Sequence, residues 1–302
     1  MCKNKHLRDL EWLIKSEPML SNPGPELGHI WVNERINFAL SELHANWLSE
    51  LENDSLELQN FMSGSENRLL GKHYERLFEF WMRSSPHLEH IKSNIQITRN
   101  GETYSEIDFL IRNKISEEFI HFEVSCKYYL ASENSSRHEV WIGPNGNDSL
   151  SEKMNKFVKQ LNIHRTPEGI ETMEQLHIPK MKPLGWLKGF LFVPFKMIGG
   201  HSLPKGFNRH FAAGWYLKSS EITFFESSPR QWLLLPKNEW ISPWESELSE
   251  ANIYDGKELV DNIQNHFQKS KKAVLIIQLD PLASTAKELS RGFVVHNKWP
   301  LQ

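Results

Sequence analysis

The chain has 302 residues, which is long enough to bury a substantial core as one large domain or two modest ones. Hydrophobic residues make up 39% and charged residues 24% of the sequence, as in ordinary soluble globular proteins. The net charge of −3 excludes a molecule that attracts polyanions over its whole surface. The two cysteines lie far apart and exclude a disulfide framework, so a reducing compartment fits.

The N-terminus leads into charged amphipathic sequence and lacks the apolar centre of a signal peptide. The best candidate for a membrane span, residues 186–198, is too short to cross a bilayer and contains Lys188, Pro194 and Lys196. We therefore expect a soluble, cytoplasmic protein of bacterial type that has no membrane partner. The sequence leaves the oligomeric state open.

We predict a helical N-terminal segment over residues 1–68, in which apolar residues recur at helical spacing. One helix lies before the breaker Pro18, and a second covers residues 36–51. A third and clearer helix covers residues 69–82, where one face is apolar and Glu75 lies on another face. Helices therefore precede the first strand.

Strand patterns follow the third helix. The predicted strands cover residues 91–98, 102–111 and 119–130. Asn100-Gly101 separates the first two strands and is typical of a tight hairpin. Ser149 and Glu152 then form a capping-box pattern, which predicts the start of a helix that runs to about Leu161.

Aromatic-rich strands follow one another from Leu184 to the C-terminus. They are predicted over residues 186–193, 211–217, 222–225, 232–235, 273–279 and 292–295, with a helix over residues 256–268. These strands either extend the central sheet or form a subdomain, and the sequence leaves both possibilities open. The predicted fold class is α/β (α+β): a central mixed sheet flanked by helices, with a helical N-terminal segment and a strand-rich C-terminal extension over residues 183–302.

The second and third predicted strands gather charged residues on one face. Side chains on a strand alternate between faces, so Glu106 and Asp108 point the same way, and so do Glu123, Ser125 and Lys127. Three carboxylates and one ammonium on one face suit a hard divalent cation and a phosphate. Because such charges are costly to bury unpaired, the cluster indicates a partner.

A basic stretch comes directly after these strands. Residues 151–210 contain ten lysines and arginines and only four acidic residues. Lys153, Lys156 and Gln160 share one face of the predicted helix because of their spacing. The stretch either guides a phosphate backbone, which makes nucleic acid a candidate partner, or forms a solvated surface.

The order of these elements resembles the core of the PD-(D/E)XK nuclease superfamily, in which a helix precedes a mixed sheet that supplies an aspartate and then an acidic-x-lysine pair. The resemblance implies a restriction-endonuclease-like core over residues 69–165 that uses Mg²⁺ or Mn²⁺. It implies that Asp108 is the central metal ligand, Glu123 the second acid, Lys127 the catalytic ammonium, and Glu75 and Gln160 supporting residues. Lys153 and Lys156 are the candidate contacts to phosphate.

One departure from that pattern concerns the spacing of the acid and the lysine. The superfamily has one residue between them, whereas three residues separate Glu123 from Lys127, and Ser125 stands at the expected acid position. Glu123 therefore lies roughly 7 Å farther along the strand. Either Glu123 reaches the metal from there, or Glu106 or a helix residue supplies the oxygen, or the site has lost its activity.

The sequence is also similar, over almost its entire length, to the bacterial family known as domain of unknown function 1853 (DUF1853). The matching blocks are residues 6–13, 70–77, 105–110, 122–130, 141–145, 291–295 and 299–300. The resemblance implies one family-wide domain over residues 1–302, and it implies that the three-residue spacing of Glu123 and Lys127 is the family's own pattern. It implies no activity.

Three classes of function are consistent with these patterns. The first is a Mg²⁺-dependent phosphodiesterase or nuclease that acts on nucleic acid. The second is a binding module that keeps the nuclease fold but has lost turnover. The third is a structural or regulatory protein without a metal, whose acidic residues only form ion pairs within the sheet.

Overall fold

Helices form the N-terminal part of the computed structural model, which describes residues 4–21, 30–64, 69–132, 140–198, 203, 206–208, 213–247 and 252–300. They are α1 (Lys5–Lys15), α2 (Glu34–Leu43), α3 (Ala45–Asn53), α4 (Leu56–Met62) and α5 (Leu70–Ser84). Apolar residues of α1 and α5 recur at helical spacing and are buried against the sheet. The helical pattern predicted for this part of the chain is therefore confirmed.

The prediction of one continuous helix over residues 36–51 is wrong, because the chain breaks at His44 between α2 and α3. The His44 ring is fully buried, with Nδ1 2.8 Å from the Leu40 carbonyl oxygen and Nε2 2.8 Å from Ser85 Oγ. These contacts satisfy both ring nitrogens at the break between α2 and α3. Periodicity cannot detect such a tertiary contact.

One mixed sheet organises the rest of the described chain. Its strands are β1 (Leu88–Arg99), β2 (Glu102–Asn113), β3 (Phe119–Ala131), β4 (Trp141–Ile142), β5 (Met181–Pro194), β6 (Ala213–Lys218), β7 (Trp232–Leu235), β8 (Glu245–Ser246), β9 (Val274–Leu279) and β10 (Ala286–Val295). The main path runs β1-β2-β3-β5-β6-β10-β9-β7. Strands β3, β5, β6 and β10 pair in parallel, and the outer pairs are antiparallel. The predicted mixed α/β architecture is confirmed.

The hairpin predicted at Asn100-Gly101 joins β1 to β2. Both residues have positive φ angles, 53° and 81°, as a two-residue turn between antiparallel strands requires. Arg99 pairs directly with Glu102 across the turn. This register fixes which face of β2 carries its acidic residues.

The C-terminal strands extend the central sheet, which resolves the choice that the sequence left open. The strand predicted over residues 222–225 is wrong, because Ser219–Ser227 forms a 3₁₀ helix. Ile222 and Phe225 lie one 3₁₀ turn apart and are both buried against α8 (Gly256–Lys269), whereas Phe224 is exposed. The first two residues of the strand predicted over 211–217 lie outside the described residues.

Helices cover both faces of the sheet. Helices α1 and α5 pack on one face, and α6 (Leu150–Leu161) packs on the other, while α7 (Pro167–Gln175) covers β1 and β2. The capping box predicted for α6 is present, with Ser149 Oγ accepting from the Glu152 N–H. Helix α6 therefore begins where the sequence predicts and lies over the polar face of β3.

Lys188 of β5 is fully buried and does not belong to a basic surface, which corrects part of the basic stretch predicted over residues 151–210. Its ammonium donates to the Asn37 Oδ1 at 2.7 Å and to the Ser16 carbonyl oxygen, so it binds the C-terminal end of α1. Burial lowers the pKa of Lys188 well below its usual value. Two further residues of that stretch, Lys205 and Arg209, lie outside the described residues.

A buried network of charged residues joins the first helix to the C-terminal extension. Asp9 is buried on α1, and its carboxylate accepts from Ser242 Oγ at 2.5 Å and from Lys5 Nζ at 2.5 Å. Arg291 of β10 donates to both carboxylate oxygens of Glu288 and to the carbonyl oxygens of Trp240, at 2.6 Å, and Ser242, at 2.8 Å. The network fixes the segment of residues 237–242.

Candidate active site

A cavity of about 600 Å³ opens where β2 and β3 separate. Backbone pairing of the two strands runs from Arg112–Phe119 to Phe109–Phe122. Beyond that point the Asp108 carboxyl takes the place of a backbone partner, because its Oδ2 accepts from the Val124 N–H at 3.0 Å. The lining includes all nine residues proposed from the sequence: Glu75, Glu106, Asp108, Glu123, Ser125, Lys127, Lys153, Lys156 and Gln160.

Asp108 and Glu123 form the acidic centre of this cavity. Asp108 is half-buried, whereas the Glu123 side chain is only 2% exposed. Burial, together with the nearby charge of Glu123, raises the pKa of Asp108 to about 7. Burial likewise raises the pKa of Glu123 to about 7, against the opposing charges of Lys153 and Lys156. Both carboxyl groups therefore titrate near neutral pH.

Two buried acceptor oxygens on the cavity wall lack a hydrogen-bond donor in the described part of the chain. They are Glu123 Oε2 and Gln160 Oε1. His121 Nε2 lies 3.9 Å from Glu123 Oε2, which is too far for a hydrogen bond. Burial lowers the pKa of His121 to about 4, so the ring is neutral at pH 7 and supplies no opposing charge. Because unsatisfied buried acceptors are costly, the site has capacity for a cationic or donating ligand.

Lys127 forms an ion pair that the sequence did not predict. Its Nζ donates to Asp148 Oδ2 at 2.7 Å, and the two side chains are 33% and 40% exposed. Lys127 therefore pairs with Asp148 and not with Glu123 of its own strand, and β3 lies inside the sheet. Asp148 ends the turn of residues 143–148, and nothing in its local pattern indicates its partner across space.

The cations of the cavity come from different elements. Lys153 is half-buried on α6, and its Nζ lies 4.1 Å from the centre of the Phe157 ring. Burial lowers the pKa of Lys153 to about 8, although Glu123 raises it. Lys156 is exposed one turn along at the cavity rim. On α5, Lys72 donates to Glu75 at 2.6 Å, so the predicted helper acid Glu75 is already paired.

The C-terminal extension supplies part of the cavity wall through Lys237 and Trp240, which the sequence did not single out as site residues. Trp240 is buried, and its carbonyl oxygen accepts from Tyr128 Oη at 3.0 Å and from Arg291. The aromatic pattern of this region correctly indicates core residues. It cannot reveal that one of them borders a polar cavity, because that depends on the topology of the sheet.

Among the described residues, Asp108 and Glu123 are the two carboxyl groups of this cavity that could hold a cation together. Among the residues that the structure describes, no three histidine, cysteine, aspartate or glutamate side chains come together as metal ligands on their own. Mg²⁺, however, commonly uses one or two carboxylates and keeps several waters. Cys126 is buried beside the cavity, and burial raises the pKa of its thiol to about 12, so it is an inert core residue rather than a nucleophile.

Segments that are distant in the sequence meet beside the cavity. Trp299 Nε1 donates to the Gly143 carbonyl oxygen at 3.0 Å, and Ala273 N donates to Asn145 Oδ1 at 3.0 Å. The family model described as domain of unknown function (DUF1853) matches residues 8–295. The chain belongs to this family. No curated protein and no solved structure matches this DUF1853 chain at a significant level.

The DUF1853 match includes the strands and helices that line the cavity and also the C-terminal extension that completes its wall. In the part of this DUF1853 chain that the structure describes, every helix is too short or too polar to span a bilayer.

Proposed function

We propose that the protein is a Mg²⁺- or Mn²⁺-dependent phosphodiesterase that hydrolyses nucleic acid at Asp108 and Glu123. The observation that carries the proposal is the meeting of these two carboxyl groups, both with a raised pKa, in one cavity with several lysines. Clustered acids with perturbed pKa values in a cleft are typical of functional sites. A purely structural role would favour pairing each acid with its own cation.

The donor set fits a hard divalent cation. Asp108 and Glu123 would hold it through carboxylate oxygens, and the unpartnered amide oxygen of Gln160 would complete the protein ligands. When bound, such a cation supplies an activated water and stabilises the negative charge that builds on phosphorus. The backbone N–H of Val124 orients the Asp108 carboxyl for this task.

The cations around the acidic centre favour a phosphate backbone as the substrate. Lys153 and Lys156 reach the cavity from α6, Lys72 from α5 and Lys237 from the C-terminal extension. These side chains surround the two acids from three elements, so a polyanion that reaches the acids passes several ammonium groups. The half-buried wall excludes part of the solvent and strengthens each of these interactions.

Cleavage assays test the proposal. Wild-type protein is incubated with single- and double-stranded DNA and RNA in the presence of Mg²⁺, Mn²⁺ or EDTA. We expect cleavage that requires the metal and falls by at least about 100-fold in Asp108→Asn and in Glu123→Gln. Asp261→Asn, an exposed acid on α8, is the matched control and should cleave as the wild type does. Cleavage that survives Asp108→Asn would contradict the proposal.

Nucleic-acid binding without turnover is the second candidate. It is favoured by Ser125 at the position where the nucleases that the sequence resembles have an acid, and by the meeting of only two carboxyl groups in the described residues. Binding of the same substrates without cleavage, weakened by removal of Lys156, would support this candidate over the first.

A further inference from the structure

Two of the five lysines that line the cavity, Lys127 and Lys153, lie in very different surroundings, and the resemblance to the nuclease pattern selects only Lys127. We propose that Lys153, rather than Lys127, is the catalytic ammonium that contacts the scissile phosphate. The assignment rests on the proposed phosphodiesterase function. It goes beyond that function because it gives the role of catalytic ammonium to a residue of helix α6 and not to one of strand β3.

Lys127 is already engaged. Its ammonium donates to Asp148 at 2.7 Å. The turn that carries Asp148 is closed by a hydrogen bond from the Gly143 N–H to the Asp148 carbonyl oxygen, and Trp299 Nε1 donates to the Gly143 carbonyl oxygen. A phosphate that recruited Lys127 would therefore compete with a carboxylate on a fixed turn. The pair is suited to holding β3 against this turn at the cavity mouth.

Lys153 lies in the field of both acids. Its side chain lines the same cavity as Asp108 and Glu123 and enters it from helix α6. In the described structure, no carboxylate lies within 4 Å of its Nζ, so the ammonium is close to the acids but retains its hydrogen-bonding capacity. The Lys153 ammonium can therefore donate a hydrogen bond to a phosphate that binds between it and the two acids.

The side chain of Lys153 is also held in place. Its ammonium packs over the Phe157 ring at 4.1 Å, and Phe157 is fully buried and stacks on Trp31 with 5.2 Å between ring centres. The capping box of Ser149 and Glu152 fixes the first turn of the helix. A rigid helix therefore presents this cation to the cavity, as a preorganised site requires.

In the reaction, a water oxygen forms the new bond to phosphorus, and the bond from phosphorus to the leaving oxygen breaks with its electron pair. The proton of the water passes to solvent, and a solvent proton joins the leaving oxygen. Lys153 keeps its proton throughout and donates a hydrogen bond to a non-bridging phosphate oxygen. This bond strengthens as charge builds on that oxygen, so its loss lowers kcat more than it raises KM.

The test compares Lys153→Met, Lys127→Met, Lys153→Arg and Lys257→Met in the full-length protein at saturating Mn²⁺. Lys257 is exposed on α8 and controls for the loss of one surface charge. We expect Lys153→Met to lower kcat by at least about 100-fold with KM changed by less than about 3-fold. Lys153→Arg should recover part of kcat, and Lys127→Met should lose less than about 10-fold.

Manganese binding measured by calorimetry on the same variants separates a catalytic role from a structural one. If the Lys153→Met variant binds Mn²⁺ and melts at the same temperature as the wild type but has lost kcat, the result supports the assignment. If the Lys153→Met variant cleaves as the wild type does and the Lys127→Met variant does not cleave, the assignment is overturned and the proposed function is still supported. Loss of kcat in Lys153→Met together with loss of Mn²⁺ binding also overturns it. Wild-type protein that neither binds Mn²⁺ nor cleaves overturns both proposals.

Discussion

At the scale of single residues, the two acids that we propose as metal ligands also lower the stability of the fold when they ionise. Asp108 and Glu123 are held where burial opposes ionisation, and the neighbouring His121 is neutral and cannot compensate. The folded-state pKa of Asp108, about 7, lies above the unfolded value of about 4. The folded protein therefore binds more protons between these pH values, and stability falls as pH rises through this window.

Asp108→Asn should therefore stabilise the fold more at high pH than at low pH. Because the amide cannot ionise, we expect its effect on the free energy of unfolding to be about 1–2 kcal/mol more favourable at about pH 8 than at about pH 5. Urea denaturation at the two pH values measures the difference. Asp261→Asn should show no such pH dependence, and an equal effect of Asp108→Asn at both pH values would contradict the raised pKa.

At the scale of elements, the close parallel pairing of β3 with β5 positions the polar face of β3. Gly189 pairs with Lys127 and has a φ of +139°, and a Cβ atom built there would lie 1.7 Å from the Lys127 carbonyl oxygen. A side chain would have to push the two strands apart. The position of Lys127 and of the cavity floor therefore depends on a glycine in the neighbouring strand.

Two glycine substitutions with opposite expected effects test this dependence. Gly189→Ala should lower the free energy of unfolding by more than about 2 kcal/mol, because it adds both a clash and backbone strain. Gly71→Ala, on α5 with nothing within 4 Å of the added Cβ, should be neutral or stabilise by up to about 1 kcal/mol. Urea denaturation measures both. A Gly189→Ala protein as stable as the wild type would contradict the packing of β3 on β5.

At the scale of the whole molecule, the C-terminal extension is part of the site rather than an appendage. The buried network around Asp9 and Arg291 ties helix α1, strand β10 and the segment of residues 237–242 together. That segment carries Lys237 and Trp240 to the cavity wall. The first helix and the last strands thus position Lys237 and Trp240 at the cavity wall.

Arg291→Met should be strongly destabilising, because it leaves Glu288 buried at 7% exposure without its cation and two carbonyl oxygens without their donor. We expect a loss of about 3–5 kcal/mol in the free energy of unfolding. Arg112→Met removes exposed ion pairs with Glu89 and Glu117 and should cost less than about 1 kcal/mol. Similar small losses for both variants in urea would contradict a structural role for the buried network.

The parts of the fold that follow from local patterns were predictable from the sequence. The hairpin at Asn100-Gly101, the capping box at Ser149 and the shared face of Glu123 and Lys127 depend on neighbours in the chain. The break at His44 and the Lys127–Asp148 pair depend on contacts between distant residues, which no local pattern contains. The metal, the substrate and the roles of the nine site residues stay predictions.

The most direct test of the central claim is the titration of the protein with Mn²⁺ by isothermal calorimetry at about pH 8, where the acid pair is ionised. We predict saturable binding to the wild type that weakens at about pH 6 as the pair takes up a proton, is lost in Asp108→Asn and is retained in Asp261→Asn. Absence of binding to the wild type, or equal binding to Asp108→Asn, would contradict a metal site at these two carboxyl groups.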